Sequence, residues 1–265
     1  MRKHRRRPSN VVPLAAGDEM KFGAIPTPAH ILAKVPYIHS YMDEELAPLI
    51  PNQTIYSAAV KGQWGDLGNI HYSDCIFAGF GHYKQCTSVN ASGVQAVVTT
   101  DQVLGWYSDV KGFVKGDPAT DNGAYPIEAL NYFVDRKEIV AYARVNLLDP
   151  ACVARAVNLF GGIYTVVTMP TAWKTSVVWG AGPNRSGVWA PGSWGNHCLY
   201  VPDYNSSMTL NSVSWGTIYP ITEDGYEAYM PEAYVLLSDY WVNTIGKTIQ
   251  GFDLSSLTDA IKLVA

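Results

Sequence analysis

No stretch of 18 consecutive apolar residues occurs in the sequence, so it predicts no membrane-spanning helix. There is no Cys-x-x-Cys pair among the four cysteines, Cys75, Cys86, Cys152 and Cys198, which excludes a zinc knuckle. Cys86 and Cys152 read as small buried apolar residues. A phosphate-binding loop, a His-x-x-x-His pair and an acidic metal cluster are all missing, so neither a cofactor nor a metal is expected. Charged residues are scarce, at 16% of the chain. Val11–Gly17 is too short and too broken to serve as the apolar region of a secretory signal. Without such a signal the four Asn-x-Ser/Thr sites, at Asn52, Asn90, Asn184 and Asn205, carry little weight. The expected location is cytoplasmic or virion-associated.

Residues 1–10 contain no acid, and Arg2, Lys3, Arg5, Arg6 and Arg7 supply five of the 19 positive charges. Setting them aside leaves 14 positive against 23 negative charges, a net −9 in place of −4. The body is therefore acidic and unsuited to general nucleic-acid binding, whereas the arm is suited to an acidic partner or a nucleic acid. What the chain does have is a core: 48% of its residues are hydrophobic, with 17 Tyr and 8 Trp. At 265 residues it forms one large domain or two lobes.

The pattern divides as follows. Residues 1–19 form the basic arm, and residues 20–60, rich in proline, wrap. Helices are expected over 74–88, from Thr100-Asp101 to Lys111, and over Ile127–Phe133, with a short acidic one near Met42–Leu46. From Ile139 the pattern alternates as a strand does. Asp149-Pro150 opens a helix that Gly161-Gly162 closes. Strands are expected at 163–168, 197–202, 207–215 and 232–238, and residues 170–195 read as a loop on a cleft rim. Asp253 caps a C-terminal helix. Helices first and strands later predict an α+β fold, with a helical lobe at 20–135, a β lobe at 136–245 and the terminal helix at 246–265.

Within this frame Cys75 opens the apolar helix and His197 sits on a strand. A helix N-terminus favours a thiolate through its free N–H groups and dipole, and an imidazole accepts the thiol proton and returns it to a leaving group. The pair predicts nucleophilic catalysis. Asp74 reads as the helix cap and, being acidic, opposes ionisation of the thiol.

Four blocks then resemble the papain-like cysteine peptidases, in a divergent bacterial or phage form. They are Asn69–Phe80 with Cys75 at the nucleophile position, Asp121–Tyr132, Asn196–Val201 with His197, and Ser214-Trp215-Gly216-Thr217 followed by Asp224-Gly225-Tyr226. The match spans residues 20–245. It implies a two-lobed fold and hydrolysis of peptide or amide bonds, with Trp215 shielding the histidine and Asn122 and Gly123 contacting substrate. The family's oxyanion-donating Gln falls at Asn69, with His71 as the alternative donor. Its Asn that orients the imidazole falls at Val213, which has no polar side chain; Asn211, two residues back on the same strand face, or a backbone carbonyl is expected to take over. Because of Val213 a second reading stands beside the hydrolase: a papain-like fold that has lost its chemistry and serves as a structural or binding subunit, of a virion or another assembly. A third is an acyl transferase or amidase using the same two residues.

Overall fold

The structure, a computed structural model, describes residues 20–41 and 50–238. The basic arm, the helix near Met42–Leu46 and the helix after Asp253 lie outside these residues. In chain order the elements are α1 (Ala29–Leu32), β1 (Thr54–Ile55), α2 (Cys75–Ser92), α3 (Thr100–Lys111), α4 (Pro126–Asp135), β2 (Ile139–Arg144), α5 (Pro150–Phe160), β3 (Ile163–Met169), β4 (Gly195–Tyr204), β5 (Leu210–Ser214), β6 (Thr217–Ile221), α6 (Glu223–Tyr229) and β7 (Glu232–Ser238). This is an α+β fold with one antiparallel sheet in the order β2-β7-β3-β4-β5-β6, and β1 paired to β4.

Local chemistry explains the element ends. Asp149 accepts from the backbone N–H groups of Ala151 and Cys152, and Pro150 fills the first position of α5, where an N–H is not needed. Thr99, one residue before the expected start, caps α3 through its hydroxyl. Gly93, Gly112 and Gly161 close α2, α3 and α5 in the left-handed conformation that glycine adopts without strain.

Strand alternation divides the core. On β3, β4 and β7 the side chains of Tyr164, Cys198, Tyr200, Tyr234 and Leu236 join one apolar cluster with α2, α3 and α4. Their alternate neighbours, including Leu199, Val201, Val235 and Leu237, join a second cluster with α5 and α6. Both faces of the sheet are therefore covered, so these strands read as apolar runs rather than as clean alternation.

Helix α2 is the centre of the first cluster. It is buried around most of its circumference and lies directly on the sheet. Glycine makes this approach possible: a Cβ on Gly79 would stand 3.3 Å from both Cys198 Sγ and Tyr164 Cε2. Tyr164 also donates its hydroxyl to the Ile76 carbonyl at 2.7 Å, fixing the first turn. Gly79→Val is expected to lower stability by about 1–3 kcal/mol through overpacking. Urea unfolding checks this, and an unchanged midpoint would contradict it.

Among the described residues, no helix is long and apolar enough to cross a membrane. The strand expected at 207–215 is β5, and a turn at Trp215 and Gly216, with φ of 46° and 74°, leads from it into β6, which the pattern did not predict. Positive φ at both positions is what a tight two-residue hairpin turn requires. Glu223–Tyr229, expected only as a sequence block, is helical.

Candidate active site

Cys75 is the first residue of α2 and is 0% exposed. Its thiol is pushed up to about 12, chiefly by burial; hydrogen bonding from the backbone of Cys198 and of Gly23 pulls the other way. The Cys198 N–H belongs to the peptide that joins it to His197. Strand alternation turns the Cys198 side chain toward α2, while the His197 ring stacks on Trp215, with centroids 4.4 Å apart and planes at 17°.

His197 is 0% exposed, and burial lowers its pKa to about 3. Its Nε2 lies 2.9 Å from Ser214 Oγ, and its Nδ1 has no protein partner. This corrects the expectation for the orienting group: it is neither Asn211 nor a backbone carbonyl. Asn211 pairs across the ladder with Asp203 and directs its amide to that carboxylate at 3.5 Å. The register explains the change. Ser214 is the last residue of β5, beside the turn that places Trp215 on the imidazole, whereas Asn211 is three residues back along the strand. A search for an amide in the sequence overlooks Ser214, although it stands next to the vacant Val213 position.

Asp74 occupies the N-cap position but makes no capping bond with its side chain. Its carboxyl is wholly buried, neither oxygen has a full hydrogen bond, and its pKa is raised well above 3.8, mostly by desolvation. The Asn69 amide faces this carboxyl and moderates the rise, without reaching full hydrogen-bond geometry. Thus Asn69, 2% exposed, is engaged with Asp74. His71, the alternative donor, is exposed. Asn122 is also exposed and donates to the Ala119 carbonyl at 2.8 Å.

Because burial raises the Asp74 pKa, its carboxyl binds a proton more tightly in the fold than in the unfolded chain, and it costs stability as pH rises above about 3.8 toward its folded pKa. Asp74→Asn is expected to gain about 1–3 kcal/mol over the parent at pH 8 and little at pH 4. The buried His197 and His82 have lowered pKa values and destabilise the fold below about pH 6.5, but equally in both proteins. Urea titrations at the two pH values measure the difference; a gain independent of pH would contradict the assignment.

The chain's own segment 22–27 passes the thiol, which the backbone of Gly23 reaches. The Phe22 ring packs edge-on against Trp194, His197 and Trp215, at centroid distances of 5.3, 5.8 and 5.9 Å. Ala24 donates to the Asn196 carbonyl at 3.3 Å, Ala124 donates to Gly23 at 2.9 Å, and Ile25 donates to Ala124 at 3.0 Å. Thr27 N–H donates to the buried Glu232 carboxylate at 2.8 Å. This strap bridges the turn that carries Gly123 and the start of β4. Residues 20–60 were expected to wrap, but what they contact was not predicted, since residues 22–27 have no periodicity and their partners lie about 100 to 205 residues away.

All four cysteines are buried and free. Among the described residues, no group of three His, Cys, Asp or Glu side chains is placed to hold a metal ion.

This architecture is the papain-like cysteine protease fold. Xylellain, a cysteine protease from Xylella fastidiosa, superposes with a TM-score of 0.62 and 12% identity, over 83% of this chain and 97% of that one. A recombinant stem bromelain precursor gives 0.58 and 13%, over 83% and 78% of the two chains. Digestive procathepsin L 3 from the larval midgut of Tenebrio molitor gives 0.53 and 11%, over 83% and 76%. Identities this low establish the fold. No family model matches the sequence, and comparison with curated proteins finds no match.

Proposed function

We propose that the protein is a thiol hydrolase that cleaves peptide bonds, with Cys75 as nucleophile and His197 as general base. The observation that carries this reading is the state of the imidazole. It is stacked on Trp215 and held at Nε2 by Ser214, which leaves Nδ1 without a protein partner, and the backbone of the next residue, Cys198, reaches the Cys75 sulfur. The reading requires the tautomer in which Nε2 carries the proton and donates to Ser214 Oγ, so that Nδ1 has the lone pair. The thiol proton passes to Nδ1 as the sulfur attacks the substrate carbonyl. The same proton goes to the departing amine, and water then hydrolyses the thioester. The oxyanion is met by the Cys75 N–H at the start of α2, with Asn69 as the side-chain donor once it turns from Asp74.

With the strap seated, burial holds both groups neutral: the thiol at about 12 and the imidazole at about 3. Substrate therefore has to take the place of residues 22–25. Opening the groove rehydrates both groups, brings their pKa values toward each other and makes the thiolate–imidazolium pair accessible. The closed thiol, together with Val213 at the place of the family's orienting Asn, favours the second reading, a papain-like subunit without chemistry. Hydrolysis of a mixed peptide pool, compared with that by Cys75→Ala, separates the two readings: loss in the variant supports the enzyme, and no hydrolysis by either supports the subunit.

A further inference from the structure

The strap shows what the groove accepts. Gly23 is its innermost residue. A Cβ built there would stand 1.9 Å from the Ser73 carbonyl oxygen, 2.3 Å from its carbon and 2.7 Å from Ser73 Cα. These are main-chain atoms of the residue two before the nucleophile, so no rotamer change relieves the clash. From the opposite wall, a Cβ on Gly123 would stand 2.2 Å from the Gly23 oxygen. Two glycines thus face each other across a passage as narrow as a bare backbone.

The walls are tied to each other. Ser73 N–H donates to Asp121 Oδ1 at 2.8 Å, and Tyr107 hydroxyl donates to the same oxygen at 3.1 Å. That hydroxyl also accepts the Gly123 N–H at 2.7 Å. Tyr107 is fully buried and stacked on Phe113. One network therefore sets the width of the passage on both sides, and widening it means breaking buried hydrogen bonds. On the β4 side, the position before glycine is shaped for an aromatic ring: Phe22 lies between Trp194 and Trp215, and a Cβ on Gly195 would stand 2.4 Å from it.

We infer that the groove beside Cys75 is a glycine-selective peptide site, which the chain's own Phe22-Gly23-Ala24 fills in the closed state. Its substrates are peptides with glycine at the innermost position and an aromatic residue next to it. The limit comes from the Ser73 main chain and holds for a peptide that follows the path of the strap. The inference rests on the hydrolase reading for its word substrate, but the binding preference does not.

The test uses full-length protein and alkylation of Cys75 by iodoacetamide, followed by mass spectrometry. Gly23→Val cannot seat the strap, so its Cys75 is expected to react about tenfold faster than the parent's, or more. A blocked Lys-Phe-Gly-Ala-Ile peptide added to this variant is expected to slow alkylation about tenfold, at a concentration where Lys-Phe-Val-Ala-Ile has no effect. Equal protection by both peptides, or none by the glycine peptide, overturns the proposal. So does parent-like slow alkylation of Gly23→Val, because the passage would then have accepted a side chain. If Gly23→Val does not fold, Thr27→Pro serves instead: it removes the N–H that Glu232 holds and leaves the walls unaltered. Protection by the glycine peptide without hydrolysis of any peptide keeps the site and removes the hydrolase. Equal hydrolysis of both peptides keeps the hydrolase and removes the glycine site.

Discussion

Cys75→Ala is expected to lose about 10⁴-fold or more in peptide hydrolysis while the protein stays folded. The sulfur is the only atom of this side chain that can attack a carbonyl, and the acid-base partner cannot replace it. The residue is completely buried and small, so removing the sulfur costs about 1 kcal/mol, well within the margin of a domain this size. Thermal melting and initial rates on one preparation separate the two effects. Activity retained within tenfold would move the chemistry to another residue; of the other three cysteines, all buried, only Cys152 lies in a first helical turn, and burial and the capping Asp149 oppose its ionisation.

The second large effect falls on Ser214. Its hydroxyl is the only protein partner of the His197 ring nitrogens among the described residues. Without it the imidazole keeps its stacking on Trp215 but loses the bond that selects the tautomer. Ser214→Ala is expected to lower kcat about 10- to 100-fold with little change in KM, the worth of one buried hydrogen bond to a group that becomes charged. Ser214→Thr keeps the hydroxyl and should restore most of the rate. A merely structural serine would give a lower melting temperature and no such split between kcat and KM. Asn211→Ala, which removes only a contact to Asp203, should leave turnover nearly unchanged.

Much of the frame was legible because local chemistry determined it. The Asp149-Pro150 start and Gly161 end of α5 are written in side-chain capping and backbone freedom, and both stand in the structure. Cys75 as the first residue of α2 followed from an apolar run, and α2 does begin there. The hairpin β5–β6 was hidden because Trp215 takes a left-handed conformation at φ 46°, which side chains other than Asn, Asp and Gly seldom adopt. Its stacking on His197 accompanies that strained turn. Ser214 was hidden because only the Asn211 amide or a backbone carbonyl was expected to hold the imidazole. The strap was hidden for a more general reason: its meaning lies in Ala124, Asn196 and Glu232, and nothing local in Phe22-Gly23-Ala24 points to them.

The central claim is that Cys75 and His197 work as one unit. The most direct test is the reactivity of Cys75 toward iodoacetamide across pH 5–9 in Gly23→Val, where the groove is open, with and without His197→Ala. The ordinary thiol titrates near the upper end of that range, and imidazole-paired thiolates form below it. The account predicts that Cys75 alone among the four cysteines reacts rapidly near pH 6, and that His197→Ala moves its reaction to the alkaline range of a free thiol. A Cys75 that reacts no faster than Cys86 at any pH, or one indifferent to His197, would contradict it.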